Sequence, residues 1–245
     1  GCHACCHLFA VGAFAPRPHG SICRQRQGGR LSLGLETRLR RGSELLGLRL
    51  SDAQHQHLLT YIDLLQKWNR VYNLTAVKDP EQMLTQHVLD CLAVVSPLKE
   101  KAPWAKSLLD VGAGGGLPSV VLAITCPDLA VLAVDAVAKK TAFIQSTAHA
   151  LGLANLQAQH ARVESLTQTF DLVSSRAYAS LADFVLTSRA CLAHDGWWMA
   201  MKGLVPAEEI THLPSDIEVV QTQLLSVPDL DAQRCLVWMR PKQAI

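Results

Sequence analysis

The sequence has no unbroken run of about 18 apolar residues, the length a membrane-spanning helix needs. It has no internal repeat. It also lacks a strong charge of one sign, since 23 basic against 21 acidic side chains give a net +2. The first absence points to a soluble, cytoplasmic protein without a membrane partner. The last removes any broad electrostatic footprint, so contact with a polyanion has to come from a local patch. The first fifty residues contain no lysine, yet hold eight arginines against two glutamates. Their net +6 leaves about −4 for residues 51–245. Four of the eight cysteines fall in this N-terminal part. Cys2-His3-Ala4-Cys5-Cys6-His7 has zinc-ligand types, but no second cluster follows at a structural spacing, so no metal is expected. Residues 1–43 read as a disordered or upstream extension. Cys91, Cys126, Cys191 and Cys235 lie in apolar segments and read as buried free thiols. At 49% hydrophobic, the chain can bury one sizeable core.

The most informative stretch is Leu108-Leu109-Asp110-Val111-Gly112-Ala113-Gly114-Gly115-Gly116-Leu117-Pro118. An apolar strand ends in a tight glycine turn, and a proline follows where a helix begins. The free N–H groups of such a helix suit an anionic cofactor group. A dinucleotide loop needs glycine at the sixth position, which is Leu117 here. The G-x-G-x-G over Gly112, Gly114 and Gly116 is similar to the first motif of S-adenosylmethionine-dependent methyltransferases. A second apolar strand, 129–134, stops at Asp135. That placement suits hydrogen bonds to ribose hydroxyls, with a helix N-cap as the competing role. Further strands are predicted at 170–174 and 196–201, a helix at 181–192, and a closing antiparallel hairpin at 218–227 and 234–240. Alternating strands and helices make an α/β, Rossmann-like doubly wound sheet. Upstream, Ser51 to Gln54 forms a capping box. Leu58, Leu59, Ile62, Leu65 and Trp68 make a helical stripe. A further helix is predicted over 80–95. The domains are therefore the 1–43 extension, a helical segment over 44–104 and the sheet domain over 105–245. Lys67, Arg70 and Lys78 are candidate phosphate contacts.

Lys67-Trp68-Asn69-Arg70-Val71-Tyr72-Asn73-Leu74-Thr75 resembles the K-W-N-x-x-Y-N-L-T segment of the bacterial glucose-inhibited division protein B family. His87-Val88-Leu89-Asp90-Cys91, the glycine loop with Leu117-Pro118, Arg162-Val163-Glu164, Ser175-Arg176-Ala177-Tyr178-Ala179-Ser180-Leu181 and Lys202-Gly203 resemble its other motifs in order and spacing. Departures are Ser119-Val120-Val121 and Arg240, neither in the cofactor loop. The resemblance covers residue 44 to the C-terminus. It implies a class I methyltransferase fold and transfer from S-adenosylmethionine to N7 of a guanine in 16S ribosomal RNA. By resemblance this is guanine 527 of the 530 loop. It implies cofactor contacts at Gly112, Leu117, Val163, Glu164 and Arg176, beside Gly114, Gly116 and Asp135. The partner is 16S RNA or the small subunit, and a monomer is expected.

Guanine N7 carries a lone pair and no proton, so its methylation needs alignment rather than a base. The segment after the fourth strand, Ser174 to Tyr178, lacks the paired prolines found in enzymes that methylate exocyclic amines. Arg176 and Tyr178 are the positioning candidates, and no catalytic residue is certain. Lys139, Lys140 and Lys202 are candidate RNA contacts. Two alternatives remain at this point: a non-catalytic RNA-binding assembly factor on the same fold, and an NAD-dependent oxidoreductase.

Overall fold

A computed structural model describes residues 22–178 and 180–243, with side chains from residue 33 onward. The chain forms two compact units, Gly1–Gly34 and Leu35–Ile245. Helix α1 spans Ile22–Leu45. In the second unit its Leu35 and Leu39, one turn apart, are buried in the core. Arg38 pairs with Glu81 and Asp229. The expectation for 1–43 therefore changes over 22–43, where the chain is helical. The glycines and arginines of that stretch masked the leucine pair. Residues 1–21, including the Cys2 to His7 run, lie outside the described residues.

Helix α2, Asp52–Tyr72, starts on the capping box as expected. Ser51 Oγ accepts from Gln54 N–H, and the Gln54 side chain accepts from Ser51 N–H. It ends on Asn73 in the left-handed region, φ 49°. The predicted 80–95 helix is instead a composite. It comprises α3 (Pro80–Met83, capped by Asp79), a π-helical stretch Leu84–Leu89, α4 (Asp90–Leu92) and α5 (Val95–Lys101).

Then come β1 (Ser107–Val111), α6 (Ser119–Thr125), β2 (Ala130–Asp135), α7 (Ala138–Leu151), β3 (Leu156–His160) and β4 (Phe170–Arg176). They are followed by α8 (Leu181–Ser188), β5 (Leu192–Lys202), α9 (Ala207–Thr211), β6 (Ile217–Leu225) and β7 (Arg234–Pro241). The strands form one sheet in the order β3-β2-β1-β4-β5-β7-β6. The first five run parallel, and β7 inserts antiparallel between β5 and β6. The doubly wound sheet and its closing hairpin match the expectation.

Successive strand residues feed opposite faces, as the pleat requires. Leu108, Leu172, Met199 and Trp238 join the core that includes α2 and α6. Leu109, Val173, Trp198 and Val237 join the one beneath α8. Both faces are thus covered, which is why the central strands read as unbroken apolar runs. Strand β3 had no such run. Its Leu156-Gln157-Ala158-Gln159-His160 is a polar edge strand, invisible to an apolar criterion. The variant Arg240 lies on β7, paired with Glu218 and 5.6 Å over the Trp197 ring.

Candidate active site

The five parallel strands end at one pole. Strand order reverses between β1 and β4, and ligand crevices in such sheets open outside the strand ends at that switch point. Gly112, Gly114 and Gly116 have φ of +69°, +57° and +84°. The outer two serve different purposes. A Cβ on Gly116 would stand 2.4 Å from Val120 Cγ2, so this glycine lets α6 pack on the loop. A Cβ on Gly112 would meet only Tyr178 Cδ2, at 3.9 Å, so this glycine keeps exposed backbone open to the crevice. Between them, the Gly115 carbonyl accepts from the Tyr61 hydroxyl at 2.6 Å. Burial pushes that phenol well above its ordinary value.

A cleft of about 130 Å³ lies at this point. Gly112, Asp135, Ala136, Val163, Glu164 and Tyr178 line it, with Val111, Val134, Ala161 and Arg162. Five of the expected site residues are thus brought together. Both carboxylate oxygens of Asp135 accept from backbone N–H groups. Its Oδ1 accepts from Val137 N–H at 2.9 Å, steadying the start of α7. Its Oδ2 accepts from Gly114 N–H at 3.0 Å, tying the second strand to the glycine loop. Lys140 stands 3.6 Å from the same oxygen. Gly116 and Leu117 are buried beneath the loop rather than in the cleft.

Helix α6 differs from expectation. It begins at Ser119, with Pro118 at its cap. The Ser119 N–H donates to Asp110 Oδ2 at 3.2 Å, and the Val120 N–H to the Gly116 carbonyl at 2.9 Å. The strand's own carboxylate therefore fills the place an anionic ligand group would take. Asp110 is fully buried, and burial pushes its carboxyl up to about 7 against the pull of Ser119 N–H and the Ser174 hydroxyl.

Arg176, at the end of β4, does not line the cleft. Its Nη2 donates to the Gln86 carbonyl at 2.7 Å and lies 3.1 Å from Asp90 Oδ2 and 3.4 Å from His87 Nδ1. The other Asp90 oxygen takes Arg234 Nε at 2.9 Å. His87 Nε2 meets the Thr75 hydroxyl at 2.7 Å, and Asn69 holds the Thr75 N–H and the Val77 carbonyl. One buried chain thus links α2, the π-helical stretch, β4 and β7. Burial, helped by Arg176, lowers His87 to about 4. Burial outweighs both arginines at Asp90 and raises its carboxyl. In the sequence His87 and Asp90 fall in a motif that assigns them no role, and Tyr61 and Arg234 carry no signal of their own. A buried acid between two arginines distant in sequence leaves no local signature.

The remaining cations separate. Lys202 is held by both carboxylate oxygens of Glu209, at 3.1 and 2.8 Å. Lys139 is exposed on the first turn of α7. The Tyr178 ring packs on Phe184 at 5.6 Å, and its hydroxyl meets Thr187 Oγ1 at 3.0 Å. Among the described residues no group of three or more His, Cys, Asp or Glu side chains could hold a metal.

The family model for rRNA small subunit methyltransferase G matches residues 54–237. The chain belongs to that family. A ribosomal RNA small subunit methyltransferase G of Acidovorax ebreus is 54% identical over 216 residues, covering 84% of this chain and 96% of the relative. One from Methylibium petroleiphilum is 55% identical over 214 residues, covering 86% and 95%. Among solved structures, a SAM-dependent methyltransferase of Leishmania major has TM-score 0.52 and 14% identity, covering 74% of this chain and 83% of that one. TrmN from Thermus thermophilus has TM-score 0.50 and 17% identity, covering 64% and 53%. Both show the fold alone. The resemblance found in the motifs is thus the family itself. The chain is a methyltransferase, and its cofactor is S-adenosylmethionine. The residues lining the cleft suit such a group. Bare backbone at Gly112 admits close approach, Val163 gives an apolar wall, and the Asp135 and Glu164 carboxylates can accept from hydroxyl and amino groups.

Proposed function

We propose that the enzyme methylates N7 of a guanine in 16S ribosomal RNA, at position 527 in the 530 loop. In this reading Gly112, Gly114, Asp135, Val163 and Glu164 hold the cofactor, Asp135 at the ribose and Val163 with Glu164 at the adenine. Gly116 and Leu117 shape the loop from below. When bound, S-adenosylmethionine supplies an electrophilic methyl group. The observation that carries the reading is the approach of the post-β4 segment to the cofactor loop, with Tyr178 3.9 Å from the Cβ position of Gly112. Tyr178 thus stands beside the loop in the segment that follows Arg176, which supports a positioning role for the two.

The surrounding groups suit a substrate with no proton to remove. Both nitrogens of His87 are engaged, and its ring stays neutral. Asp135 is bound to two backbone N–H groups. Arg176 is anchored through Nη2 alone, and Nη1 and Nε have no protein acceptor among the described residues. Those nitrogens suit guanine O6 or a phosphate oxygen. In-line alignment of reactants is worth up to roughly 7–11 kcal/mol, so positioning suffices as the catalytic device. The N7 edge of duplex RNA lies in a deep, narrow groove, which favours a loop nucleotide as target. The protein works as a monomer in the cytoplasm.

The test is mass mapping of 16S RNA from cells with and without the gene. Loss of one N7-methylguanine at position 527 is expected. An unchanged modification pattern, or a loss at another atom or base, overturns the reading.

A further inference from the structure

The C-terminal end of α2 carries a surface that the cofactor cleft does not use. Between Leu64 and Lys78 the sequence has three cations and no acid, in a chain whose residues 51–245 are net negative. Lys67, Arg70 and Lys78 are all exposed, and among the described residues none forms an ion pair. Asp63 and Asp79 flank the stretch without reaching them. Val71 is 70% exposed and Tyr72 40%. Large apolar side chains beside unpaired cations are an unusual use of a free helix end.

Tyr72 is not a loose side chain. Its ring lies 5.2 Å from Trp68, one turn earlier, and Trp68 meets Phe143 of α7 edge-on at 5.5 Å. This aromatic ladder climbs from the core to the surface and ends in an open face. Lys139 stands one helical turn before Phe143, which puts a fourth cation beside the ladder. The patch also borders the reactive pole on two sides. Lys140, next to Lys139, reaches Asp135 at the end of β2. Thr75, three residues past Tyr72, reaches Arg176 at the end of β4 through His87.

We propose that Lys67, Arg70, Tyr72, Lys78 and Lys139 form the docking surface for single-stranded RNA flanking the target nucleotide. Tyr72 stacks on a base, and the cations take phosphates. A preset aromatic face with cations around it is how proteins grip unpaired nucleotides without reading sequence. Charge complementarity selects the occupant, since an acid-free cationic stretch on an otherwise acidic body suits a polyanion. The proposal rests on the RNA-methylating reading.

The test uses the full chain, a 16S transcript as the naked-RNA probe and purified small subunits as a second substrate. Lys67→Glu with Arg70→Glu should weaken transcript binding at least about tenfold and flatten its salt dependence by about 0.7 per lost phosphate contact. Tyr72→Ala should weaken it about tenfold, and Tyr72→Phe should restore it, because stacking needs only the ring. Affinity for S-adenosylhomocysteine and the melting temperature should hold in all variants. In methyl transfer the loss should appear in KM for RNA, with kcat kept. Folded variants with the wild-type RNA affinity and salt slope overturn the proposal. So does a loss confined to assembled subunits, which would make the occupant a ribosomal protein. If the wild type binds RNA through these residues but methylates no guanine, the functional reading fails and the docking surface stands.

Discussion

The Tyr61 hydroxyl, carried by the upstream helix α2, donates to the carbonyl of Gly115 in the middle of the cofactor loop. Leu65, one turn on, supports the same glycine, with its Cδ1 3.2 Å from the Cβ position. Tyr61→Phe leaves a buried carbonyl unpaired, which costs about 1–3 kcal/mol. The expected result is a lower urea midpoint and severalfold weaker S-adenosylhomocysteine binding. Unchanged values for both would show that the loop holds its shape without α2.

The glycines of the loop should separate by experiment. Gly116→Ala drives a methyl group into Val120 at a positive φ, and should cost more than about 3 kcal/mol of stability. Gly112→Asp meets only Tyr178 Cδ2 at 3.9 Å, and its positive φ costs about 1–2 kcal/mol, so the protein should fold while cofactor binding and methyl transfer are lost. Circular dichroism with a binding titration checks both. A folded, fully active Gly112→Asp enzyme would remove the cleft from the cofactor site.

Asp90 serves two guanidinium groups at once. Asp90→Asn leaves Arg176 and Arg234 without their counter-charge, and should destabilise by about 3–5 kcal/mol. Where the variant is still folded, methyl transfer should fall with kcat, because Arg176 loses its anchor. Wild-type kcat in this variant would mean that the ion pair is irrelevant to alignment.

His87 makes acid stability legible. Its folded value of about 4 lies below the free imidazole, so the unfolded chain binds the extra proton. Stability from this group is therefore complete above about pH 6.5 and is lost as pH falls toward 4, by up to about 3 kcal/mol. Asp110 acts in the opposite sense. Its carboxyl is raised to about 7, so its part of the stability declines as pH rises from about 4 to 7. The two slopes offset each other in the wild type. His87→Gln should remove the first and leave a protein whose denaturation midpoint drops between pH 5 and pH 7 relative to wild type. Parallel pH profiles for the two proteins would contradict a neutral, buried His87.

Strand β1, its glycine turn and Asp135 were legible because they are local. A strand, a turn and a strand end each announce themselves within a few residues. The central strands showed as apolar runs because both of their faces are covered. Four things did not show. Strand β3 sits at an edge and keeps polar side chains. The π-helical stretch keeps the composition of an ordinary helix while changing which way His87 and Asp90 point. The Asp90–Arg176 and Asp90–Arg234 pairs join residues whose separation follows from topology alone. Leu35 and Leu39 were hidden for a simpler reason, since arginines on the other faces of α1 dominate the local composition.

The insertion of β7 between β5 and β6 has a consequence for the order in which the protein is made. Arg234 lies 144 residues beyond Asp90 in the chain, on that inserted strand. A chain emerging from the ribosome can close the glycine loop and meet Arg176 early. It completes the Asp90 clasp only when β7 has been threaded between β5 and β6. Contacts of such long sequence separation form late. Arg176 thus has its counter-charge before Asp90 gains a second arginine, and the completed clasp marks the closure of the whole sheet.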